Sequence, residues 1–230
     1  MPLNAETQTA LLLEADLYQD IIQENFIDSY RNLTYKAIMW LKWVSENCGQ
    51  AKLILKVDDD ITVNIFSLVP HLRRLTKHGL VRNRTVMGIV YEKEQVSRQH
   101  GYKWSLTKKE YPNDTFPRHC PGLAYILTFD LVPVFYNKSF HVPYLWIDDV
   151  YVTGLLPIGL NVTHYNFGKF FATKENQVYK IELSSLFFAM IRSAKLKRSL
   201  WRFLLRERQI EQYQKPYFDN STVNSNSKHA

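Results

Sequence analysis

The chain has 230 residues, with 29 Lys and Arg against 22 Asp and Glu, a formal charge of +7; 46% of residues are apolar and 14% aromatic. That apolar content supports a sizeable core and excludes general disorder, and the length suits one domain or one and a half. The positive balance admits nucleic acid, an anionic membrane surface or a phosphorylated small molecule, and does not choose among them.

The first 20 residues, "MPLNAETQTALLLEADLYQD", lack a basic n-region and hold only a three-leucine run, so they read as neither a signal peptide nor an anchor. Residues 17–47 read as one long helix, with Ile21, Phe26, Tyr30, Leu33, Ala37, Leu41 and Val44 as its buried stripe and a stop at Asn47, Cys48 and Gly49. "AKLILKV" at 51–57 reads as a buried strand. Asn64 caps a helix that ends near Gly79, with Pro70 expected to kink it. Residues 85–92 read as a strand, and 92–122 as a loop rich in proline, closed by Pro121-Gly122. A strand at 123–128 is followed by a helical turn in "FDLVPVFYNK", and 142–160 runs from an extended piece into a short helix around Val150–Leu156. Strands alternating with helices predict an α/β layer fold.

Residues 192–208 carry seven Lys or Arg interleaved with Leu196, Leu200, Phe203 and Leu204. Such a helix lies on an acidic membrane surface or packs one face on the domain; the second reading is preferred. The expected organisation is a divergent segment at 1–19, a catalytic-type domain at 20–191, a basic amphipathic helix at 192–215 and a polar tail at 216–230.

Six Asn-x-Ser/Thr sequons occur, at Asn32, Asn83, Asn113, Asn137, Asn161 and Asn220, where chance predicts about 1.6. They point to passage through the secretory lumen. With no entry signal in view, the expectation is that an N-terminal segment is missing, or that this product does not enter the lumen. The two cysteines, Cys48 and Cys120, allow one bridge, which a lumenal setting permits without demanding.

"LILKVDDDITVN" sets three aspartates at the mouth of an apolar strand. A carboxylate there is costly unless something positive shares the site. In an extended segment Asp58 and Asp60 project to the same side, and two hard oxygen ligands suit Mg²⁺ or Mn²⁺ with positions left for a diphosphate. The plainer reading is a solvated acidic turn. A second acidic pair, Asp148-Asp149, stands where an apolar segment meets a helix start. It reads as a helix cap or as a general base for a hydroxyl nucleophile.

Four ordered blocks between residue 20 and about 156 then carry a family resemblance. They are "DIIQENFIDSYRNLTYKAIMWLKWVSENC", "KVDDDITVN", "YKWSLTKKEYPNDTFPRHCPGLAYILT" and "IDDVYVTGLL". Together they resemble the β-1,3-galactosyltransferases, glycosyltransferase family 31. The resemblance implies a GT-A fold: a mixed central sheet flanked by helices, here short of its N-terminal strands. It also implies a Golgi membrane protein with a lumenal domain, held by an N-terminal anchor not seen in this chain. The expected reaction is inverting hexose transfer, galactose foremost, from a UDP-sugar to a glycan acceptor, with Mn²⁺ or Mg²⁺. Carried residue by residue, Lys56, Asp58 and Asp59 would hold the sugar nucleotide. Asp60, with Asp58, would hold the metal, and Asp149, with Asp148, would supply the base. Tyr111, Gly122 and Tyr125 would shape the donor and acceptor cleft. Trp104 would stack on a sugar or pack in the core, and His164 is either a later metal ligand or structural. The pair is Asp-Asp where the family's common form is Glu-Asp, and Leu123-Ala124 replaces a more glycine-rich step. The rival readings are transfer of N-acetylglucosamine or N-acetylgalactosamine within the same family, and a truncated non-catalytic relative that binds glycans or assists another transferase. Nucleic-acid binding is set aside, because the basic residues are dispersed and no recognition motif occurs.

Overall fold

The computed structural model describes residues 5–178, 182 and 185–219, with side chains described as far as residue 209. In chain order the helices and strands are α1 (Ala5–Tyr18), α2 (Leu33–Asn47), β1 (Leu53–Val57), β2 (Ile61–Val63), α3 (Ile65–Lys77), β3 (Thr85–Gly88), β4 (Ala124–Thr128), α4 (Leu131–Ser139), α5 (Asp148–Val150), β5 (Thr163–Asn166), β6 (Phe171–Ala172), β7 (Phe188–Met190) and α6 (Ala194–Asp219). The chain is α/β with mixed pairing, and it forms two compact units: residues 1–55 with 83–165, and residues 56–82 with 166–230.

The first unit is built on a four-stranded sheet in the order β1-β4-β3-β5. β3 and β4 pair antiparallel, Val86 opposite Leu127 and Gly88 opposite Tyr125, and every residue of both strands is buried. Burial on both faces explains why β4 reads as a continuous apolar run rather than an alternation. α2 and α4 pack on this sheet through Ala37, Leu41, Leu131, Val132 and Phe135. Where a helical turn was expected after β4, α4 is a nine-residue helix. The strand expected over 85–92 stops at Gly88, and Tyr91 makes only an isolated bridge to His119. The 92–122 segment is a loop, as expected.

The long helix expected over 17–47 is not formed. α1 ends at Tyr18, with Gln19 in the left-handed region at φ 56°, and no residue of α1 is buried. Ser29 is extended, a 3₁₀ turn covers Tyr30–Asn32, and helix resumes only at Leu33. The five-residue step from Ile21 to Phe26 leaves one helical face, although Phe26 and Tyr30 keep the spacing of one. Asp28 and Ser29 compete for the backbone there.

The second unit holds a three-stranded sheet, β2-β7-β6. β2 pairs antiparallel with β7, Ile61 opposite Met190, and β6 pairs parallel with β7. Asn64 caps α3 as expected, its side chain accepting the Ser67 N–H at 3.3 Å, and Pro70 lies inside the helix. α3 buries Leu68, Leu72 and Leu75, and sets His71 against Phe167, Phe170 and Phe187, where burial holds the imidazole pKa below its usual value. α6 buries Leu200 and Leu204 in a cluster with Ala172, Val178 and Ile191. Trp201 stacks on Phe66 at 5.6 Å. The basic helix therefore packs one face on its own unit. Among the described residues no helix is long and apolar enough to cross a membrane. Most of the expected tail at 216–230 lies outside the described residues.

Candidate active site

In the second unit, β1 ends at Val57 and the chain turns at once. The Ile61 N–H bonds the Asp58 carbonyl at 3.1 Å, closing a tight turn over 58–61. The extended geometry expected for the triplet is therefore not what sets its side chains: like-charged neighbours ahead of β2 are accommodated by a turn. Exposure still alternates, with Asp59 exposed and Asp58 and Asp60 half-buried. Asp58 is ion-paired with Lys56, Nζ to Oδ1 at 2.5 Å. The Asp59 carbonyl faces the Lys197 Nζ at 3.4 Å, and the Asp60 carbonyl accepts the Ile191 N–H at 3.4 Å. The Asp60 side chain differs from both neighbours: its Oδ1 is buried with no hydrogen-bond partner among the described residues. A buried carboxylate oxygen without a donor is expensive, and a divalent cation removes that cost. No group of three or more His, Cys, Asp or Glu that could hold a metal occurs among the described residues.

In the first unit, Asp148 and Asp149 open α5, which runs straight into a π-helical turn over Tyr151–Leu155. The Leu156 N–H bonds the Tyr151 carbonyl at 3.0 Å. Thr153 is fully buried in this turn: its hydroxyl accepts the Cys120 N–H at 2.8 Å and gives its proton to the Asp149 carbonyl at 2.6 Å. Gly154 lets the turn approach the 117–119 loop, since a Cβ there would stand 3.1 Å from His119 Cβ and Pro117 Cγ. These contacts position Asp149. Its Oδ2 accepts the Gly122 N–H at 2.7 Å and its Oδ1 the Val150 N–H at 2.7 Å. Neither aspartate is the helix cap, a position held by Ile147; the Asp149 carboxylate is fixed by the Gly122 and Val150 N–H groups and keeps lone pairs for a further donor. The two aspartates act on different neighbours. Burial raises the Cys120 thiol to about 12, with the Asp149 charge adding to it. Burial likewise takes the Tyr144 phenol to about 12, with Tyr35 and then Asp148 contributing.

Of the other expected residues, Gly122 meets Asp149 directly. Tyr111 and Tyr125 are buried, Tyr125 completely, in the core cluster. Their rings support the site as core and offer no face to a ligand. Trp104 is the reverse: it is 44% exposed and its indole N–H donates to the Tyr30 hydroxyl at 2.5 Å, so core packing does not describe it. His164 lies on β5 with Nε2 donating to the Thr153 carbonyl at 2.7 Å, and burial lowers its pKa. That nitrogen is engaged structurally; Nδ1 is the ring atom left to consider. Cys48 and Cys120 are free thiols.

Residues not singled out from the sequence form a cleft of about 340 Å³ in the first unit, lined by Arg31, Asn32, Tyr35, Glu110, Tyr144 and Trp146 among others. Arg31 pairs with Glu110 at 2.9 Å and lies over the Trp146 ring at 4.7 Å. Glu110 is held by a reciprocal box: its Oε2 accepts the Thr107 N–H at 2.8 Å, and the Thr107 hydroxyl accepts the Glu110 N–H at 3.2 Å. The Thr-x-x-Glu spacing was a legible signal for this contact. The aromatic lining comes from separate segments and has no periodic signature.

The galactosyltransferase family model matches residues 2–168, and the chain belongs to that family. Among curated relatives it is similar to the human UDP-GalNAc:beta-1,3-N-acetylgalactosaminyltransferase 1, 38% identical over 165 residues, which cover 66% of this chain and 46% of the relative. It is also similar to beta-1,3-galactosyltransferase 5 of Pan paniscus, 38% identical over 65% of this chain and 48% of the relative, and to beta-1,3-galactosyltransferase 1 of Mus musculus, 37% identical over 60% and 42%. The chain thus spans somewhat less than half the length of these relatives.

Proposed function

We propose that this chain carries the core of an inverting, metal-dependent glycosyltransferase that moves a hexose, galactose foremost, from a UDP-sugar to a glycan hydroxyl with a β-1,3 linkage. The observation that carries the reading is the Asp60 carboxylate, whose buried Oδ1 has no hydrogen-bond partner among the described residues. Asp60, with Asp58 beside it, would hold Mn²⁺ or Mg²⁺; the ion supplies charge neutralisation for a diphosphate leaving group. Lys56 restrains Asp58 and Asp59 stays open to the donor. Asp149, fixed by the Gly122 and Val150 N–H groups, takes the proton from the acceptor hydroxyl as it attacks. A single displacement inverts the sugar centre and needs one such base.

A second donor, UDP-N-acetylgalactosamine, is favoured by one observation: a relative at 38% identity is named for that sugar. The setting proposed is the Golgi lumen, the protein held at the membrane by an N-terminal anchor, with glycoprotein or glycolipid acceptors. The exposed sequon asparagines Asn83, Asn113, Asn137 and Asn161 suit a lumenal chain. The test is UDP release from UDP-galactose and UDP-N-acetylgalactosamine, with Mn²⁺ and an acceptor panel. Release that requires Mn²⁺, disappears with EDTA and is lost in Asp60→Asn and Asp149→Asn supports the proposal. A folded chain that releases UDP from no donor favours the non-catalytic glycan-binding reading.

A further inference from the structure

We infer that the aromatic cleft of the first unit is a glycan-binding subsite, taking one or two neutral sugar rings of the acceptor. The inference rests on the glycosyltransferase reading for the word acceptor, and on its own geometry for the site. Tyr35 and Tyr144 stack at 4.8 Å and are 49% and 42% exposed. Beside them, Tyr30, Tyr102 and Trp104 are also more than 40% exposed. Contacts join these rings: the Trp104 indole bonds the Tyr30 hydroxyl, Tyr102 meets Trp104 edge-on at 5.5 Å, and Tyr30 meets the buried Trp146 at 6.1 Å.

Two groups of solvent-facing rings, Tyr35 with Tyr144 in the cleft and Tyr30 with Tyr102 and Trp104, lie to either side of Trp146, and an exposed aromatic patch of this extent marks a binding surface. They are also held still. The Tyr144 hydroxyl donates to the Arg31 carbonyl at 2.6 Å, and Lys103 Nζ lies 4.1 Å from the Tyr30 ring centre. Rigid amphipathic rings supply contact area at low entropic cost. The apolar C–H face of a pyranose matches an aromatic face, while its hydroxyls need donors and acceptors at the edge. The cleft supplies these in Arg31, Glu110 and the Asn32 region. Within the cleft lining Arg31 is paired with Glu110, so no unpaired charge of the lining calls for a nucleotide or phosphate, and a neutral ligand is favoured. An apolar protein partner would have to desolvate that ion pair, which costs more than it returns. The volume, about 340 Å³, lies at the small end of ligand sites and suits sugar rings rather than a whole UDP-sugar. Asp148, whose charge is felt at Tyr144, belongs to the same acidic pair as the proposed base.

The test uses the full chain with no donor present. Lactose and N-acetyllactosamine are titrated by saturation-transfer NMR and tyrosine–tryptophan fluorescence. UDP with Mn²⁺ is titrated separately. Tyr35→Ala and Tyr144→Ala are expected to weaken glycan binding at least tenfold and to leave UDP binding unchanged. Tyr144→Phe keeps the ring and is expected to stay within threefold, which separates loss of the platform from loss of fold. Alanine variants that bind the glycans like the parent overturn the inference, as does a parent that binds neither glycan. Failure of the glycosyltransferase reading shows elsewhere, as a parent that binds no UDP whatever the glycan arm reads.

Discussion

Asp60 and Asp149 are both half-buried carboxylates at the end of an apolar segment, yet their surroundings are opposite. Asp149 has a backbone N–H on each oxygen, both at 2.7 Å. Asp60 keeps a buried oxygen with no donor among the described residues. A carboxylate satisfied by the fold contributes to stability and is pre-oriented for proton transfer. One left unsatisfied costs stability and persists where another group completes it. These opposite surroundings support the base proposed at Asp149 and the ion ligand proposed at Asp60 on physical grounds that the acidic pair and acidic triplet do not express.

The sharpest way to break the comparison is to remove each charge and read activity and stability together. Asp60→Asn is expected to lower UDP-releasing turnover by about 10³-fold, the order lost with an electrostatic stabiliser of the transition state. Its thermal midpoint without metal should hold or rise, because the orphaned charge is gone. A midpoint that falls well below the parent's would mean that Oδ1 is engaged structurally after all. Asp149→Asn is expected to cost 10²- to 10⁴-fold in turnover, the range of general base catalysis, and about 1 kcal/mol in stability, because the amide oxygen accepts one backbone N–H while the amide NH₂ faces the other. Asp149→Ala leaves the Gly122 and Val150 donors unpaired and should cost about 1–3 kcal/mol by denaturant unfolding. Thr153→Val probes the same side of the comparison. It strands the buried Cys120 N–H and frees the Asp149 carbonyl, for about 1–3 kcal/mol and a smaller loss of turnover through misplacement of Asp149.

How far the sequence reached follows from the same contrast. β1, α3 with its Asn64 cap, β4 and the long loop were legible because apolar runs, capping residues and prolines act locally. β2, β6 and β7 were not. They are two or three residues long, and the sheet forms only when β2 meets β7 more than a hundred positions away, as with Ile61 and Met190. The break between α1 and α2 was missed because Phe26 and Tyr30 imitate a helical stripe across a segment that Asp28 and Ser29 interrupt. In the candidate site, the motifs pointed to Asp58, Asp60, Asp149 and Gly122, and of these the structure brings Gly122 and Asp149 together. The turn at 58–61, the ion pair that occupies Asp58 and the π turn that orients Asp149 are tertiary outcomes. The aromatic cleft gathers Tyr35, Glu110 and Tyr144 from three separate segments, and no local pattern announces such a meeting.

The smallest expected effect tests a third carboxylate, Glu110, which resembles Asp149 in being held by donors but lies at the surface. The Thr107 backbone N–H is the main cause of its depressed pKa, about 2; the Thr107 hydroxyl and the Arg31 guanidinium add to it, against an opposing contribution from desolvation. Because the folded-state pKa is lowered, the stabilisation is present above the ordinary glutamate range near 4.5 and is lost as pH falls toward 2. The loss is modest, since Arg31 is 65% exposed and solvent screens the pair. Urea midpoints measured from pH 6 down to pH 3 should therefore fall slightly more steeply for the parent than for Glu110→Gln, and high salt should narrow the gap only in part, because the Thr107 N–H contact does not depend on the ion pair. Parallel curves for the two proteins would mean that the Thr107 box does not hold Glu110 in solution, and the polar edge of the aromatic cleft would lose its anchor.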